Sequence, residues 1–133
     1  MDAPDGFEPF PNQGPFLEHV GPILVDGRED DLVLALRAEE RHANHRGTIQ
    51  GGLLSTFADF ALGRAIEVDA ADGKDRATVS LTVDFLKAAK PGDWIESRTR
   101  VDRVGSTLSF ADCSLTVDGN EIVRARAVWV VAG

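Results

Sequence analysis

The sequence contains a single cysteine, Cys113, among 133 residues. One thiol cannot form an internal disulfide bond, which fits a reducing compartment and makes the cytoplasm the default location. A lone cysteine in a predicted strand is far more commonly a small core residue than a nucleophile. We therefore expect Cys113 to be buried.

Signals for export or membrane insertion are also missing. No apolar run approaches the roughly eighteen residues that a membrane span requires. The stretch from Met1 to Asp5 is acidic and lacks the basic start and apolar core of a secretory signal. The sequence predicts neither a membrane-spanning segment nor a signal peptide.

Basic residues are scarce relative to acidic ones. The chain has 14 Lys and Arg against 22 Asp and Glu, for a formal net charge of −8. Long-range repulsion opposes binding to nucleic acid or to an anionic membrane surface, and an anionic substrate would need a local basic patch. Five arginines in predicted strands are most simply solvent-facing, although some could meet phosphate groups: Arg98, Arg100, Arg103, Arg124 and Arg126.

The length fits one domain with a single core. Residues 1–15 carry four prolines and two glycines, so they are predicted to be an extended, flexible arm with no visible chemistry. Residues 16–133 form the predicted domain. It begins with a short helical turn ended by Gly21 and Pro22, and continues with a strand toward Asp26.

One convincing helix is predicted, from Gly51 or Gly52 to about Val68, with two strands before it and four after it. The first pair includes an alternating strand from Asp31. Turns between the later strands are too short for parallel crossovers. The predicted class is α+β, with a curved antiparallel sheet of about six strands wrapped around one long central helix. One helix covers such a sheet incompletely, so a homodimer or homotetramer is expected.

Two details of the strand pattern are specific enough to test. The segment from Thr78 to Leu86 alternates, with Val79, Leu81, Val83 and Phe85 on one face and Thr78 on the other. The later segment changes phase between Phe110 and Ala111. A β-bulge near Phe110 would reconcile the two phases.

Residues 44–59 are the most informative part of the chain. A glycine pair, Gly51-Gly52, opens the helix and leaves bare N–H groups at the positive end of its dipole, where an oxyanion can be held. Asp59 follows about two turns later among apolar neighbours, where water is expected to be scarce and its protonation open to tuning. An oxyanion donor and a carboxylate are the minimum equipment for hydrolysing an acyl group.

Simpler explanations exist for each feature taken alone. A Gly-Gly pair is often only a tight entry to a helix, and an isolated Asp59 can be a satisfied structural carboxylate. Their spacing, with Asn44 upstream and Thr78 downstream, favours a catalytic or binding site. His42 and His45 stand three residues apart, but two histidines alone do not make a ligand set, so no metal site is predicted.

The pattern Asn44-x-x-Gly47-x-x-Gln50-Gly51-Gly52, followed by Asp59, resembles the signature of hotdog-fold acyl-CoA thioesterases of the phenylacetate-pathway type. The resemblance covers most of the chain from residue 16 onward. Further matching segments are Phe16 to Gly21, Thr78 to Lys87, and Lys90-Pro91-Gly92-Asp93.

The resemblance implies specific roles. Asp59 would be the catalytic general base or nucleophile, and Gly51 would donate its backbone N–H to the thioester carbonyl. Asn44 would position substrate or water, and Thr78 would hydrogen-bond water or the carboxylate. The residues expected to contact the substrate are Gly47, Gly52 and Phe60. The depth of the acyl pocket is expected to depend on the packing of Phe57, Phe60 and Phe85. The two halves of the site would come from different subunits, with acyl-CoA as substrate and no cofactor.

Gln50 departs from the family pattern, which usually has histidine there. A glutamine amide can donate to a carbonyl oxygen but cannot titrate near neutral pH. We expect the residue at position 50 to orient the substrate rather than to transfer protons. His45 lies close in sequence and is the nearby residue that could compensate for the missing histidine. The predicted function is hydrolysis of a small aromatic or medium-length acyl-CoA. Alternatives are a non-catalytic acyl-thioester binding protein and a hotdog dehydratase or hydratase, against which Gln50 speaks.

Overall fold

The computed structural model describes residues 3–27 and 33–132. Its two α-helices are α1 (Pro15–Val20) and α2 (Gly51–Ala70), and a single 3-10 turn covers Glu40–His42. Its strands are β1 (Phe7–Pro9), β2 (Leu24–Asp26), β3 (Leu34–Arg37), β4 (Arg76–Phe85), β5 (Trp94–Val104), β6 (Leu108–Val117) and β7 (Asn120–Val131). No helix within these described ranges is long and apolar enough to cross a membrane.

The strands form one antiparallel sheet in the order β1-β2-β3-β5-β6-β7-β4, and α2 packs across β4 to β7. The predicted α+β class is confirmed. The described residues contain seven strands rather than about six, because Phe7–Pro9 of the N-terminal arm pairs with β2. The strand predicted from Asp31 begins outside the described residues, since Asp31 and Leu32 are not among them; its described part is β3.

The apolar side chains of α2 explain its position. They recur at intervals of three and four residues and lie buried against the sheet: Leu54, Phe57, Ala58, Ala61, Leu62, Ala65 and Ile66. The helix ends two residues beyond the predicted Val68. Ala71 adopts a left-handed conformation there and donates its N–H to the carbonyl of Glu67.

A β-bulge in β4 changes which residues face the helix. Thr78 is opposite Trp129 in β7, but the next pair joins Ser80 to Val128, which leaves Val79 as the extra residue. Thr78 therefore lies on the helix-facing side, and Val79 is exposed. The simple alternation predicted Thr78 on the face opposite Leu81 and Val83. This was wrong, because a strict two-residue period cannot account for an inserted residue.

The bulge predicted near Phe110 is located differently. The β5–β6 register shifts between Val101 and Arg103, so the inserted residue belongs to β5. Strand β6 keeps its alternation: Ser109 and Ala111 are buried, whereas Leu108 and Phe110 lie on the outer face. The apparent shift in the apolar alternation arises because these two outward-facing residues are apolar. The strand itself does not change which residues face the core.

Gly63 allows the helix and the sheet to approach closely. A Cβ atom at position 63 would lie 2.4 Å from the Cη2 atom and 2.7 Å from the Cζ2 atom of Trp129. Real Cβ atoms do not approach rigid rings this closely. The indole of Trp129 consequently occupies the space that any other residue at position 63 would fill.

We predict that Gly63→Ala destabilises the protein. Displacing the indole costs about 1–3 kcal/mol, which exceeds the gain of up to about 1 kcal/mol that alanine brings to an unobstructed helix. Chemical denaturation would measure the difference. Gly52→Ala is the matched control in the same helix, because the nearest neighbour of its Cβ would be Gln50 at 3.9 Å. Equal stability of both variants and the wild type would contradict the prediction.

Candidate active site

The loop before α2 is closed by the side chain of Asn44. Its Oδ1 accepts hydrogen bonds from the backbone N–H groups of Arg46 (2.9 Å) and Thr48 (3.2 Å), and its Nδ2 donates to the Thr48 hydroxyl at 3.0 Å. Gly47 has a φ of +82°, which favours glycine. In a single chain, Asn44 and Gly47 therefore shape the loop that leads to the helix.

The start of α2 presents donors without helical partners. Gln50 is the N-cap, and its side chain makes no capping hydrogen bond. The N–H groups of Gly51 and Gly52 fall in the first turn, where no intrahelical acceptor exists. The ring of Phe85 lies beside Gly51: an added Cβ there would be 3.2 Å from its Cζ atom. This end of the helix therefore combines free N–H donors, the positive end of the helix dipole and the aromatic ring of Phe85.

Asp59 is held by the residue that the β4 bulge reorients. The hydroxyl of Thr78 donates to Oδ1 of Asp59 at 2.7 Å. Asp59 is half-buried, although its neighbours Phe57 and Ala58 are completely buried. A single chain therefore leaves this carboxylate in contact with solvent rather than in the water-poor setting that its neighbours suggested.

A cavity of about 450 Å³ lies beside Asp59. Four aromatic side chains line it: Phe10 and Phe60, which pack edge to face with ring centroids 5.1 Å apart, and Phe16 and Trp129. Its polar lining residues besides Asp59 are Asn12, Thr56, Arg64 and Glu67. Arg64 places its guanidinium 5.1 Å from the centroid of the Phe10 ring. The cavity places the Asp59 carboxylate beside a space with several aromatic walls that is large enough for a small acyl group.

A second cavity, of about 310 Å³, lies at the start of α2 and is lined by Gln50, Gly52 and Leu53. Phe16 and Thr56 line both cavities. The two cavities are therefore neighbours along α2, and the exposed side chain of Phe16 borders both.

The helix separates the two chemical groups by a fixed distance. Gly51 and Asp59 are eight residues apart, which corresponds to about 12 Å along an α-helix. A carbonyl group in contact with the Gly51 N–H cannot also be reached by the Asp59 carboxylate of the same helix. Within one chain, the candidate donor and the candidate carboxylate are therefore too far apart to act on the same carbonyl group.

Other candidate residues have structural roles. His42 is buried; its Nδ1 accepts the N–H of Glu39 at 3.0 Å and its Nε2 lies 2.6 Å from the carbonyl oxygen of Val20. Both ring nitrogens are thus used by the backbone. His45 is exposed.

Burial raises the pKa of the Cys113 thiol to about 12, with the Asp112 charge adding to the effect, so the thiolate needed for nucleophilic attack is suppressed.

The arm and the last strand supply cavity residues that the sequence analysis did not identify. Phe10 and Asn12 come from the segment expected to have no chemistry, and Trp129 comes from β7. Gln13 fixes this arm by donating to the carbonyls of Phe10 and Ile23. The aromatic residues of the arm were the available signal, but nothing local shows which helix they approach.

Comparison with known proteins identifies the family. A model described as the thioesterase superfamily matches residues 46–123, which include the Gln50-Gly51-Gly52 segment, Asp59 and Thr78. The chain belongs to the thioesterase superfamily. It is a thioester hydrolase.

Individual relatives agree with this assignment. A Pseudomonas aeruginosa protein named as a candidate esterase, PA0474, is 43% identical over 132 residues, covering 97% of each chain. Mouse acyl-coenzyme A thioesterase 13 is 30% identical over 105 residues, covering 77% of this chain and 74% of that protein. The structure of the PaaI protein from the phenylacetic acid degradation operon of E. coli aligns with a TM-score of 0.68 at 20% identity, over 76% and 72% of the two chains. The predicted hotdog fold and family resemblance are confirmed.

We predict that Thr78→Val lowers kcat/KM for thioester hydrolysis by about 10- to 100-fold. The change removes a hydrogen bond to a charged group, which contributes about 1.5–3 kcal/mol, while β-branching and size are kept. Thiol release would be measured by a colorimetric assay. Thr82→Val is the matched control, since Thr82 lies in the same strand on the outer face and pairs with Arg126. A Thr78→Val enzyme as active as the control would refute an orienting role.

Proposed function

We propose that the protein hydrolyses a small aromatic or medium-length acyl-CoA to the free acid and coenzyme A. The observation that carries this proposal is the hydrogen bond from Thr78 to Asp59, whose carboxylate lies at the edge of a cavity with several aromatic walls. The name of the mouse relative, an acyl-coenzyme A thioesterase, supports coenzyme A as the thiol.

Asp59 supplies the base or the nucleophile. As a base, its carboxylate takes a proton from water while the water oxygen bonds to the thioester carbon; the intermediate then expels the thiolate, which takes up the proton. As a nucleophile, it forms a mixed anhydride and releases the thiolate, and water then hydrolyses the anhydride. Thr78 occupies Oδ1 and leaves the second carboxylate oxygen available. Both routes consume only water, so no cofactor or metal is part of the proposal.

The Gly51 N–H stabilises the oxyanion that forms on the thioester carbonyl, assisted by the helix dipole. Since Gly51 and Asp59 of one helix are about 12 Å apart, the two act together only when they come from different chains. The edge strand β4 provides a suitable contact surface, with Val79 and Phe85 more than half exposed there. The active protein is accordingly a homodimer, or a tetramer built from such dimers.

The remaining motif residues assist binding. The exposed Gln50 amide, which makes no capping bond, is available to donate to a carbonyl oxygen beside Gly52. Asn44 and Gly47 hold the loop that positions these groups. Phe60 borders the cavity for the acyl group, whose volume of about 450 Å³ suits one ring or a chain of moderate length.

We predict that Asp59→Asn lowers kcat on aryl- and alkyl-CoA thioesters by about 10²-fold or more, because asparagine can neither accept the proton nor attack the carbonyl. Substrate affinity should change little, since size and shape are preserved. Release of the coenzyme A thiol from a substrate panel and calorimetric binding to the variant test the two statements. Binding by the wild type without any turnover would favour the alternative, a protein that only binds acyl thioesters.

A complementation experiment tests whether two chains share the site. Gly51→Pro removes the N–H at the first helical position, where proline fits, and the extended conformation of Gln50 (ψ 131°) suits a residue before proline. Gly51→Ala adds a comparable contact with Phe85 but keeps the N–H, and serves as the control.

Gly51→Pro and Asp59→Asn are each expected to be nearly inactive. After equal amounts are unfolded and refolded together, heterodimers contain one intact site and one doubly altered site, so about a quarter of wild-type activity should return. A mixture no more active than its components would place the whole site within one chain.

A further inference from the structure

His42 lies at the point where three segments of the chain meet. Its ring contacts the end of α1, with Nε2 2.6 Å from the carbonyl oxygen of Val20, and its Nδ1 accepts the N–H of Glu39 at 3.0 Å. Its own carbonyl accepts the N–H of Gln50, the N-cap of α2, at 2.9 Å. One buried residue therefore connects α1 to the residue directly before Gly51.

The two ring contacts require one form of the imidazole. A backbone N–H can only donate, so the Nδ1 atom that faces Glu39 carries no proton and acts as the acceptor. The proton is then on Nε2, which donates to the carbonyl of Val20. Because the planar ring holds this acceptor and this donor at a fixed separation, the position of His42 follows that of α1.

Arg41 fixes the end of α1 independently of His42. Its guanidinium donates to the carbonyls of His19 and Gly21, on either side of Val20. Carbonyl groups at the C-terminal end of a helix lack intrahelical donors, and these three consecutive ones are bound by the adjacent residues Arg41 and His42. The end of α1 consequently provides a fixed anchor for the ring of His42.

The loop between His42 and Gln50 transmits this position to the start of α2. Ala43 and Ile49 form an antiparallel bridge, and the hydrogen bond from the Gln50 N–H to the His42 carbonyl closes the loop at its base. Gly51 follows Gln50 directly. A displacement of His42 would therefore change the direction in which the Gly51 N–H points.

We propose that His42 is a positioning residue: through its bond to Val20, it orients the Gly51 N–H toward the thioester carbonyl. This inference rests on the proposed function, because it assumes that this N–H stabilises the oxyanion. Asp59 belongs to the other half of the shared site and is held from β4. Since a small misplacement of a catalytic group can lower the rate by up to about 10²-fold, the loss of this bond should reduce turnover.

Two substitutions separate the two ring contacts. His42→Asn keeps an acceptor at the position of Nδ1 but is too short to reach Val20. His42→Gln places its amide nitrogen at the position of Nε2 and is the matched control. We expect His42→Asn to lower kcat/KM for thioester hydrolysis by about tenfold or more, and His42→Gln to stay within about threefold of the wild type. Equal activity of the two variants would overturn the inference.

Complementation assigns the effect to one half of the shared site. Refolding His42→Asn together with Asp59→Asn creates one intact site in each heterodimer, so about a quarter of wild-type activity should return. Refolding it with Gly51→Pro, whose defect lies in the same half, should give only the mean activity of the two components. A mixture with Asp59→Asn that stays at this mean, or recovery with Gly51→Pro, would overturn the inference.

The remaining outcomes are also distinguishable. Chemical denaturation and gel filtration of His42→Asn show whether the fold and the dimer are intact. Loss of either would identify a purely structural residue and overturn the inference. If Gly51→Pro and Asp59→Asn fail to complement each other, the shared site itself is contradicted, and the comparison of asparagine with glutamine at position 42 still decides the role of His42.

Discussion

The burial of one face of α2 against the sheet fixes the geometry on which everything else depends. Phe57, Ala58 and Leu62 are fully buried and set the rotation of the helix about its axis. Asp59 and Gly63 are then directed toward the edge formed by β4 and β7, where Thr78 and Trp129 meet them. Core packing and site geometry are consequently one constraint: a rotation of the helix that spoiled the first would also separate the carboxylate from its hydrogen-bond donor.

The periodic elements of the fold were predictable because burial on one side leaves a regular trace in the sequence. Helix α2 is an example. The bulge at Val79 left no such trace. One inserted residue moves the residues before it to the other face of the sheet, but the amino-acid composition of the strand does not reveal the insertion. The opposite problem arose at Leu108 and Phe110. These apolar residues lie on the outer face, so the apolar alternation of β6 shifts by one residue in the sequence although the strand does not change sides. Strand β1 was missed because its pairing with β2 is non-local, and prolines and glycines dominate its surroundings.

The site divides in the same way. Gly51 and Asp59 lie on one helix, so their spacing in sequence is their spacing in space, and both were identified as candidates from the sequence. The hydrogen-bonding role expected for Thr78 was implied by the family resemblance, whereas simple alternation placed this residue on the wrong face. Phe10 and Trp129 converge on the cavity from opposite ends of the chain. No sequence spacing encodes such convergence, and only the three-dimensional structure reveals which aromatic residues surround the cavity beside Asp59.

A rigid helix also limits what one chain can do. The N-terminus of α2 presents free N–H groups and the positive end of the helix dipole, and the middle of the helix carries the Asp59 carboxylate. The rise of the helix holds these groups too far apart to act on one carbonyl. In the proposed dimer, two copies related by a twofold axis would remove this conflict without bending the helix, since each N-terminus would approach the middle of the other helix. The exposure of Thr78 and the open edge of β4 then have a common explanation, because both belong to the surface at which the second chain would complete the site.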